Sequence, residues 1–127
     1  MARGADVKRL PRSVNCPTEL ALDLLGGKWM TVILARLKER PLRYNELRRL
    51  IPRLSDKVLA QRLADLQERG LVARDAPAGA GARYRLTAQG RSLRPLLQQL
   101  YDWGEAQAAR LGVAVDAEAG ERVAAGD

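Results

Sequence analysis

The side chains able to support catalysis or metal binding are few in this chain of 127 residues. Cys16 is its single cysteine, and the chain contains no histidine. Without histidine no imidazole can activate the thiol as in papain-like enzymes, and zinc sites of the Cys/His type are excluded. A single cysteine also rules out a disulfide within one chain. We therefore expect neither a metal site nor a cofactor.

Two further patterns resemble enzyme sites without meeting their requirements. The Gly-Gly-Lys at residues 26–28 lacks the first glycine and the Ser or Thr of a phosphate-binding loop, since Leu22 and Trp29 occupy those positions. Asp65 and Glu68 form a pair of carboxylates, but we expect them to be solvated on an exposed helix face. The sequence therefore predicts that the protein is not an enzyme.

Basic charge is concentrated in the middle of the chain. Residues 28–94 contain sixteen Lys and Arg against six Asp and Glu, a net charge of +10, whereas residues 95–127 carry a net charge of −4. A basic block of this size within a folded region favours a polyanionic partner, and double-stranded DNA is the one we expect. The alternative is a winged-helix adaptor that binds protein without specific DNA binding, although an adaptor has little use for this charge.

The spacing of apolar residues predicts four helices, a β-hairpin and a long final helix. Cys16 and Pro17 mark the start of the first helix, and the glycines at 26–27 end it. The other predicted elements are helices at about Lys28–Glu39, at about Tyr44–Leu50 and between the caps Ser55 and Gly70, strands at Val72–Asp75 and Arg83–Thr87, and a helix from near Thr87 to about Arg110. Arg43 is a candidate one-residue strand. This order is typical of a winged helix-turn-helix, a mainly α fold with a small β-hairpin wing, here with a long C-terminal dimerisation helix.

Composition divides the chain into three parts. We expect residues 1–15 to be a flexible basic arm, residues 16–111 to form one winged helix-turn-helix domain that includes the dimerisation helix, and residues 112–127 to be a disordered tail. No apolar run approaches the roughly 20 residues of a membrane-spanning helix. The N-terminus also lacks the apolar stretch of a signal peptide. We expect a cytoplasmic protein with no membrane partner.

The helix that follows Ser55 has the pattern of a DNA-reading helix. On a helical wheel, the side opposite its leucines carries Lys57, Ala60, Gln61 and Ala64. Small alanines allow close approach to the major groove, glutamine suits adenine, and lysine suits guanine or a phosphate. Arg62 lies at the edge of the apolar stripe, where it either pairs within the protein or contacts a phosphate. The candidate DNA-binding residues of this helix are Ser55, Lys57, Gln61 and Arg62.

Arginines supply the remaining candidate contacts with DNA. Alternation along the second strand turns Arg83 and Arg85 to one face, towards a phosphate backbone or an adjacent minor groove. Four more arginines flank the helix-turn-helix and are expected to contact phosphates; they are Arg43, Arg48, Arg49 and Arg53. The alternative is that all six are ordinary surface residues.

The last helix carries an apolar stripe that is longer than a core of this size can cover. Its members are Leu93, Leu96, Leu97, Leu100 and Trp103. Two copies packed about a two-fold axis would bury the stripe. Such a homodimer would place two reading helices about one DNA turn apart, which favours a palindromic site. The alternative is a helix that folds back on its own domain.

Several short motifs, taken in their order and spacing, resemble those of the HxlR-type family of bacterial regulators. Over about residues 16–104 they are Cys16-Pro17, Gly26-Gly27-Lys28-Trp29, Arg43-Tyr44-Asn45-Glu46-Leu47-Arg48, the helix from Ser55 to Leu66, Gly70-Leu71-Val72-Ala73-Arg74, residues 84–90 and Trp103-Gly104. The resemblance implies a winged-helix homodimer that represses or activates genes. It also implies, for some members, a response to electrophiles through a cysteine at the position matching Cys16. The wing departs from the family pattern, because residues 79–82 are Gly-Ala-Gly-Ala, and we expect it to be more flexible and more basic.

Cys16 is the candidate redox-sensing residue. A thiol at a helix N-terminus favours the thiolate, and Arg12 is near in sequence. Because thiolates react with oxidants and small electrophiles, modification of Cys16 is expected to shift the geometry of the dimer. The alternative is that Cys16 is a small buried apolar residue. The predicted function is that of a sequence-specific DNA-binding transcriptional regulator, expected to act as a repressor.

Overall fold

The structure, a computed structural model, describes residues 10–76 and 81–115. The helices are α1 (Pro17–Leu25), α2 (Lys28–Leu37), α3 (Tyr44–Leu50), α4 (Asp56–Glu68), α5 (Ala88–Arg91) and α6 (Arg94–Leu111), and the strands are β1 (Leu42–Arg43), β2 (Val72–Asp75) and β3 (Arg83–Leu86). Residues 1–9 of the predicted arm, 77–80 of the predicted hairpin loop and 116–127 of the predicted tail lie outside the described residues. Within the described ranges, no helix is long and apolar enough to cross a membrane.

Local capping signals account for the helix bounds. Pro17 is the first residue of α1, and Gly26 ends that helix in the left-handed conformation at φ 77°. Ser55 caps α4, because its Oγ accepts a hydrogen bond from the backbone N–H of Val58 at 3.2 Å. Gly70 follows α4 at φ 78°, a conformation that favours glycine because glycine has no Cβ. These four positions were all identified from the sequence.

The sheet has three antiparallel strands, with β3 between β1 and β2. Leu42 pairs with Tyr84, and Arg43 pairs with Arg83. The sequence predicted the hairpin but offered only Arg43 as a candidate strand, since two residues carry little local signal. β1 is a strand because it pairs with β3, and this pairing joins the wing to the start of α3.

The final helix is interrupted, contrary to the prediction of one helix from near Thr87 to about Arg110. A turn at residues 92–93 separates α5 from α6. Pro95 explains the interruption, because it has no N–H to donate to the carbonyl of Arg91 and its ring would collide with the preceding turn. Thr87 is the expected N-cap, with its Oγ1 accepting from the backbone N–H of Gly90 at 3.1 Å.

The core lies between α2, α3, α4 and the inner face of the sheet, and it consists mainly of leucine and isoleucine. α6 packs across α2, where Arg94 Nε donates to the carbonyl of Lys38 at 3.1 Å. This packing turns Leu97 into the core with 1% of its surface exposed and leaves Leu93 partly buried beside it. The structure therefore corrects the sequence-based assignment of Leu97 to a stripe that faces a second copy.

At Gly90, the backbone of α5 lies close to the backbone of Leu71, the residue that precedes β2. A Cβ added at Gly90 would lie 2.1 Å from the carbonyl oxygen of Leu71. The same carbonyl accepts a hydrogen bond from the backbone N–H of Thr87 at 3.1 Å, so it is not able to move aside. Glycine is therefore required where the wing meets the C-terminal helices.

Gly90→Ala is expected to lower the free energy of unfolding by about 1–3 kcal/mol, because the added methyl group overpacks a backbone contact. Gly81→Ala is the matched control, since no described atom lies within 4 Å of a Cβ at that position. Urea unfolding followed by circular dichroism measures both variants. Equal stabilities for Gly90→Ala and the unsubstituted protein would contradict the close approach.

Candidate nucleic-acid interface

The turn between α3 and α4 is held together by Asp56, the first residue of α4. Tyr44 Oη lies 2.9 Å from the backbone carbonyl oxygen of Asp56 and also contacts its carboxylate, and these two acceptors share the single hydroxyl hydrogen. Arg48 Nε lies 3.4 Å from the same carboxylate, and its Nη1 donates to the carbonyl of Leu54. Arg48, expected from sequence to contact a phosphate, thus links α3 to the turn and to the start of α4.

The hydroxyl of Tyr44 remains a donor across the physiological pH range. Partial burial, together with the hydrogen bond to Asp56 and its negative charge, raises the pKa of Tyr44 to about 12. All three effects disfavour the charged phenolate. The contact between α3 and α4 is consequently insensitive to pH near neutrality.

α4 presents the polar side that the sequence predicted. Leu59, Leu63 and Leu66 are buried. The opposite side carries Ser55, Lys57, Ala60 and Gln61, which are exposed, and Ala64, which is half-buried. Gln61 Nε2 donates to Asp65 Oδ1 at 3.1 Å, so the amide must exchange this partner when it binds a base.

Asp65 is buried, with 8% of its surface exposed. The sequence-based expectation that it is solvated is therefore wrong, because it lies on the side of α4 that faces α1. Arg62 Nη1 donates to Asp65 Oδ2 at 3.3 Å. Of the two roles left open for Arg62, the structure shows pairing within the protein, beside a cavity of about 490 Å³ that is also lined by Asp23 and Arg69.

The outer face of the sheet carries the arginines of the wing. Tyr84 packs against the core, and alternation along β3 turns Arg83 and Arg85 to the opposite face. Arg85 Nε donates to Asp75 Oδ2 at 2.7 Å, and a neighbouring carboxylate therefore compensates its charge. Arg83 is exposed, and its guanidinium makes no hydrogen bond or ion pair with another described residue.

The remaining candidate arginines fall into two groups. Arg43, Arg49 and Arg83 converge on one cleft, which is also lined by Arg40. Arg53 lies apart from them, in the turn before α4 and near Trp29 of α2. Arg40 was not singled out from the sequence, because nothing local distinguishes it from other surface arginines.

Cys16 is exposed at the N-cap of α1. Its backbone N–H donates to Glu19 Oε2 at 3.1 Å, and hydrogen bonds from Thr18 lower the pKa of the thiol. The alternative of a small buried cysteine is therefore wrong. Exposure and a lowered pKa both favour reactivity, because the thiolate is the nucleophilic form.

Arg69 connects the cysteine-bearing helix α1 to the end of α4. Its Nη1 donates to the carbonyls of Asp23 at 3.1 Å and Leu24 at 2.9 Å, the last turn of α1. A Cβ at Gly26 would lie 2.5 Å from this nitrogen, so the glycine also leaves room for the guanidinium. Sequence reasoning missed the contact because more than forty residues separate its partners.

Large apolar side chains are exposed on both α1 and α6. Trp103 has 67% of its surface exposed and Leu22 has 62%. Leu96 and Leu100 of α6 are also exposed. Because Leu97 is buried, the exposed apolar stripe on α6 is narrower than the sequence predicted. Leu22 of α1 is also exposed, and the sequence did not assign it to this surface.

The family model described as HxlR-like helix-turn-helix matches residues 24–111. The chain belongs to this family. One relative, the HTH-type transcriptional regulator YdzF of Bacillus subtilis (strain 168), is 41% identical over 101 residues, which cover 77% of this chain and 93% of the relative. Another, YdeP of the same strain, is 36% identical over 93 residues, covering 72% of this chain and 73% of YdeP.

Solved structures agree with the fold. The redox regulator HypR in its oxidized form is 34% identical with a TM-score of 0.68, and the match covers 72% of this chain and 96% of that one. The reduced form of the transcriptional regulator YodB from B. subtilis is 33% identical with a TM-score of 0.62, covering 72% and 93%. This HxlR-like protein is accordingly a winged helix-turn-helix regulator of transcription that binds DNA. The sequence-based predictions of family, fold class and regulatory role, as opposed to catalysis, are confirmed.

Proposed function

We propose that this HxlR-like protein is a homodimeric repressor that reads a palindromic operator with α4 and changes its affinity for DNA when Cys16 is modified. The observation that carries the proposal is the exposed polar side of α4 next to a turn held by Asp56. A major groove admits one helix, and recognition helices present their N-terminal turns to the bases. Lys57 and Gln61 lie in the first two turns of α4.

The exposed polar side of α4 combines hydrogen-bond donors with small residues. Ala60 and Ala64 leave space for the helix to approach the base edges. Gln61 has the bidentate geometry for adenine, and Lys57 can donate to guanine or to a phosphate. Because Tyr44 and Arg48 hold the start of α4, these side chains are presented in a defined orientation, which limits the entropy lost on binding.

Gln61→Ala is expected to change which sequences are preferred, with an effect of about 1–3 kcal/mol at one or two base positions. The measurement is selection of duplexes from a random pool, followed by competition binding with singly substituted duplexes. Gln67→Ala is the matched control, since Gln67 is exposed on another side of α4. If Gln61→Ala prefers the same DNA sequences as the wild type, Gln61 does not read a base. If the wild-type protein shows no salt-dependent binding to any duplex, the adaptor alternative is favoured.

The exposed apolar residues of α1 and α6 support a homodimer. Four large apolar side chains are exposed on these two helices; they are Leu22 of α1 and Leu96, Leu100 and Trp103 of α6. Isolated exposed leucines are common in monomers, but contiguous apolar patches usually mark an interface. With a two-fold axis through this surface, the same residues of both subunits would contact each other, as in most homodimers. The second copy would supply the second α4 for a palindromic site.

Trp103→Lys is expected to convert the dimer to a folded monomer, because the indole is mostly exposed in one protomer and would be buried only against a second copy. Gln98→Lys introduces the same side chain on another side of α6 and should leave the dimer intact. Sedimentation velocity measures the mass, and circular dichroism confirms folding. Trp103→Lys that remains a dimer would place the interface elsewhere.

Cys16 is suited to report oxidants or small electrophiles. Its thiol is exposed and its pKa is lowered, and HypR is described as a redox regulator. YodB, a further similar structure, has been obtained in a quinone-bound form. With one cysteine per chain, any disulfide formed by Cys16 must join two subunits or join the protein to a small thiol. The contact of Arg69 with the end of α1 offers a direct path from this helix to α4.

Diamide treatment of the wild-type protein is expected to lower its affinity for a duplex selected from the random pool. Cys16→Ser should bind the untreated duplex normally and be insensitive to diamide, since the only thiol is gone. Fluorescence anisotropy measures affinity, and nonreducing electrophoresis detects a disulfide between subunits. Equal responses of the two proteins would exclude Cys16 as the sensor without affecting DNA recognition by α4.

A further inference from the structure

A cleft of about 580 Å³ opens between β1, β3 and α3. Four arginines line it: Arg40 before β1, Arg43 at the end of β1, Arg49 on α3, and Arg83 at the start of β3. The cleft is the point where the wing meets the helix-turn-helix.

Glu46 is the one acidic residue that lines this cleft, and the protein already uses both of its oxygens. Oε1 accepts from the backbone N–H of Arg43 at 2.8 Å, and Oε2 lies 3.5 Å from Arg40 Nη2. The hydrogen bond from Arg43 is the largest cause of the lowered pKa of Glu46, and the charge of Arg40 adds to it. Glu46 thus stays ionised and compensates only one of the four positive charges.

Strand register places two of these arginines at directly opposite positions. Arg43 is directly opposite Arg83 in the antiparallel pair of β1 and β3. Like charges at directly opposite positions destabilise a sheet. On the other side of Arg83 the register places Asp75, but that carboxylate accepts from Arg85. Arg43 and Arg83 therefore occupy facing positions in the sheet and line the same cleft, and the nearby Asp75 forms its ion pair with Arg85 instead.

We propose that the arginine cleft binds one backbone phosphate of duplex DNA. Guanidinium groups match the geometry of phosphate with paired, charge-assisted hydrogen bonds, and an anion between Arg43 and Arg83 would remove their repulsion. The cleft opens on α3, whose Tyr44 and Arg48 hold α4, so a phosphate bound there sets the position of α4 along the groove. A contact with phosphate carries no base information but fixes register. This inference rests on the proposed DNA-binding function and adds Arg40 to the interface.

The first test measures how binding to a random-sequence 30-bp duplex depends on salt. Each neutralised phosphate contributes about 0.9 to the slope of log K against log salt concentration. Arg43→Gln and Arg83→Gln should each reduce the slope by about one, and the double variant by no more than one in total, because both residues share one phosphate. Arg110→Gln removes a charge outside the cleft and should leave the slope unchanged. Circular dichroism confirms that each variant is folded.

The second test measures Tm at low salt in potassium chloride and in potassium phosphate of equal ionic strength. Arg43→Gln should raise Tm in chloride, because it relieves the repulsion with Arg83. Phosphate should raise the Tm of the wild type more than that of the double variant, because an anion that binds only the folded state stabilises it. These results together with the change in salt slope support the proposal.

Two outcomes would overturn the proposal while leaving DNA recognition by α4 in place. Stabilisation by phosphate with unchanged salt slopes would show that the cleft takes a free anion instead of DNA. Unchanged slopes without stabilisation by phosphate would show that it takes neither. A wild-type protein that binds no duplex would instead remove the proposed function itself, and the cleft's role with it.

Discussion

One carboxylate links the start of α4 to α3, while buried leucines pack the rest of α4 into the core. Asp56 receives Tyr44 and Arg48 of α3 at the first turn of α4, so a single side chain joins the two helices of the helix-turn-helix. The same negative charge lies at the N-terminal end of α4, where the helix dipole favours it. The proposed reading residues Lys57 and Gln61 follow within two turns, so this contact and the buried leucines of α4 together orient them.

Pairing within the fold divides the arginines into two functional groups. Arg48, Arg62 and Arg85 each face an aspartate of the same chain, which reduces what they can offer to a phosphate. Arg49, Arg53 and Arg83 have no such carboxylate among the described residues and stay available to an anion. The net charge of residues 28–94 is thus larger than the charge available to DNA. The arginines that contribute are those without an aspartate partner in the folded chain.

The ends of the domain combine packing with exposed surface. α6 uses Leu97 to pack on α2 and leaves Trp103 exposed, so one helix can contribute to the protomer core and to a proposed subunit interface. α1 carries Cys16 at its start, while the guanidinium of Arg69 binds its end. A change in the position of α1 would therefore act on α4 through a polar contact with defined geometry.

Local patterns in the sequence determined the helix caps, the hairpin, the leucine side of α4 and its opposite polar side. Each of these depends on residues within one or two turns of each other, or on alternation along one strand. The tertiary structure decided that Leu42 and Arg43 form a strand, that Leu97 and Asp65 are buried, and that Arg69 binds α1. It also decided which arginines are paired and which meet in one cleft. Such contacts join residues distant in sequence, and their existence depends on distances in space that no local periodicity encodes.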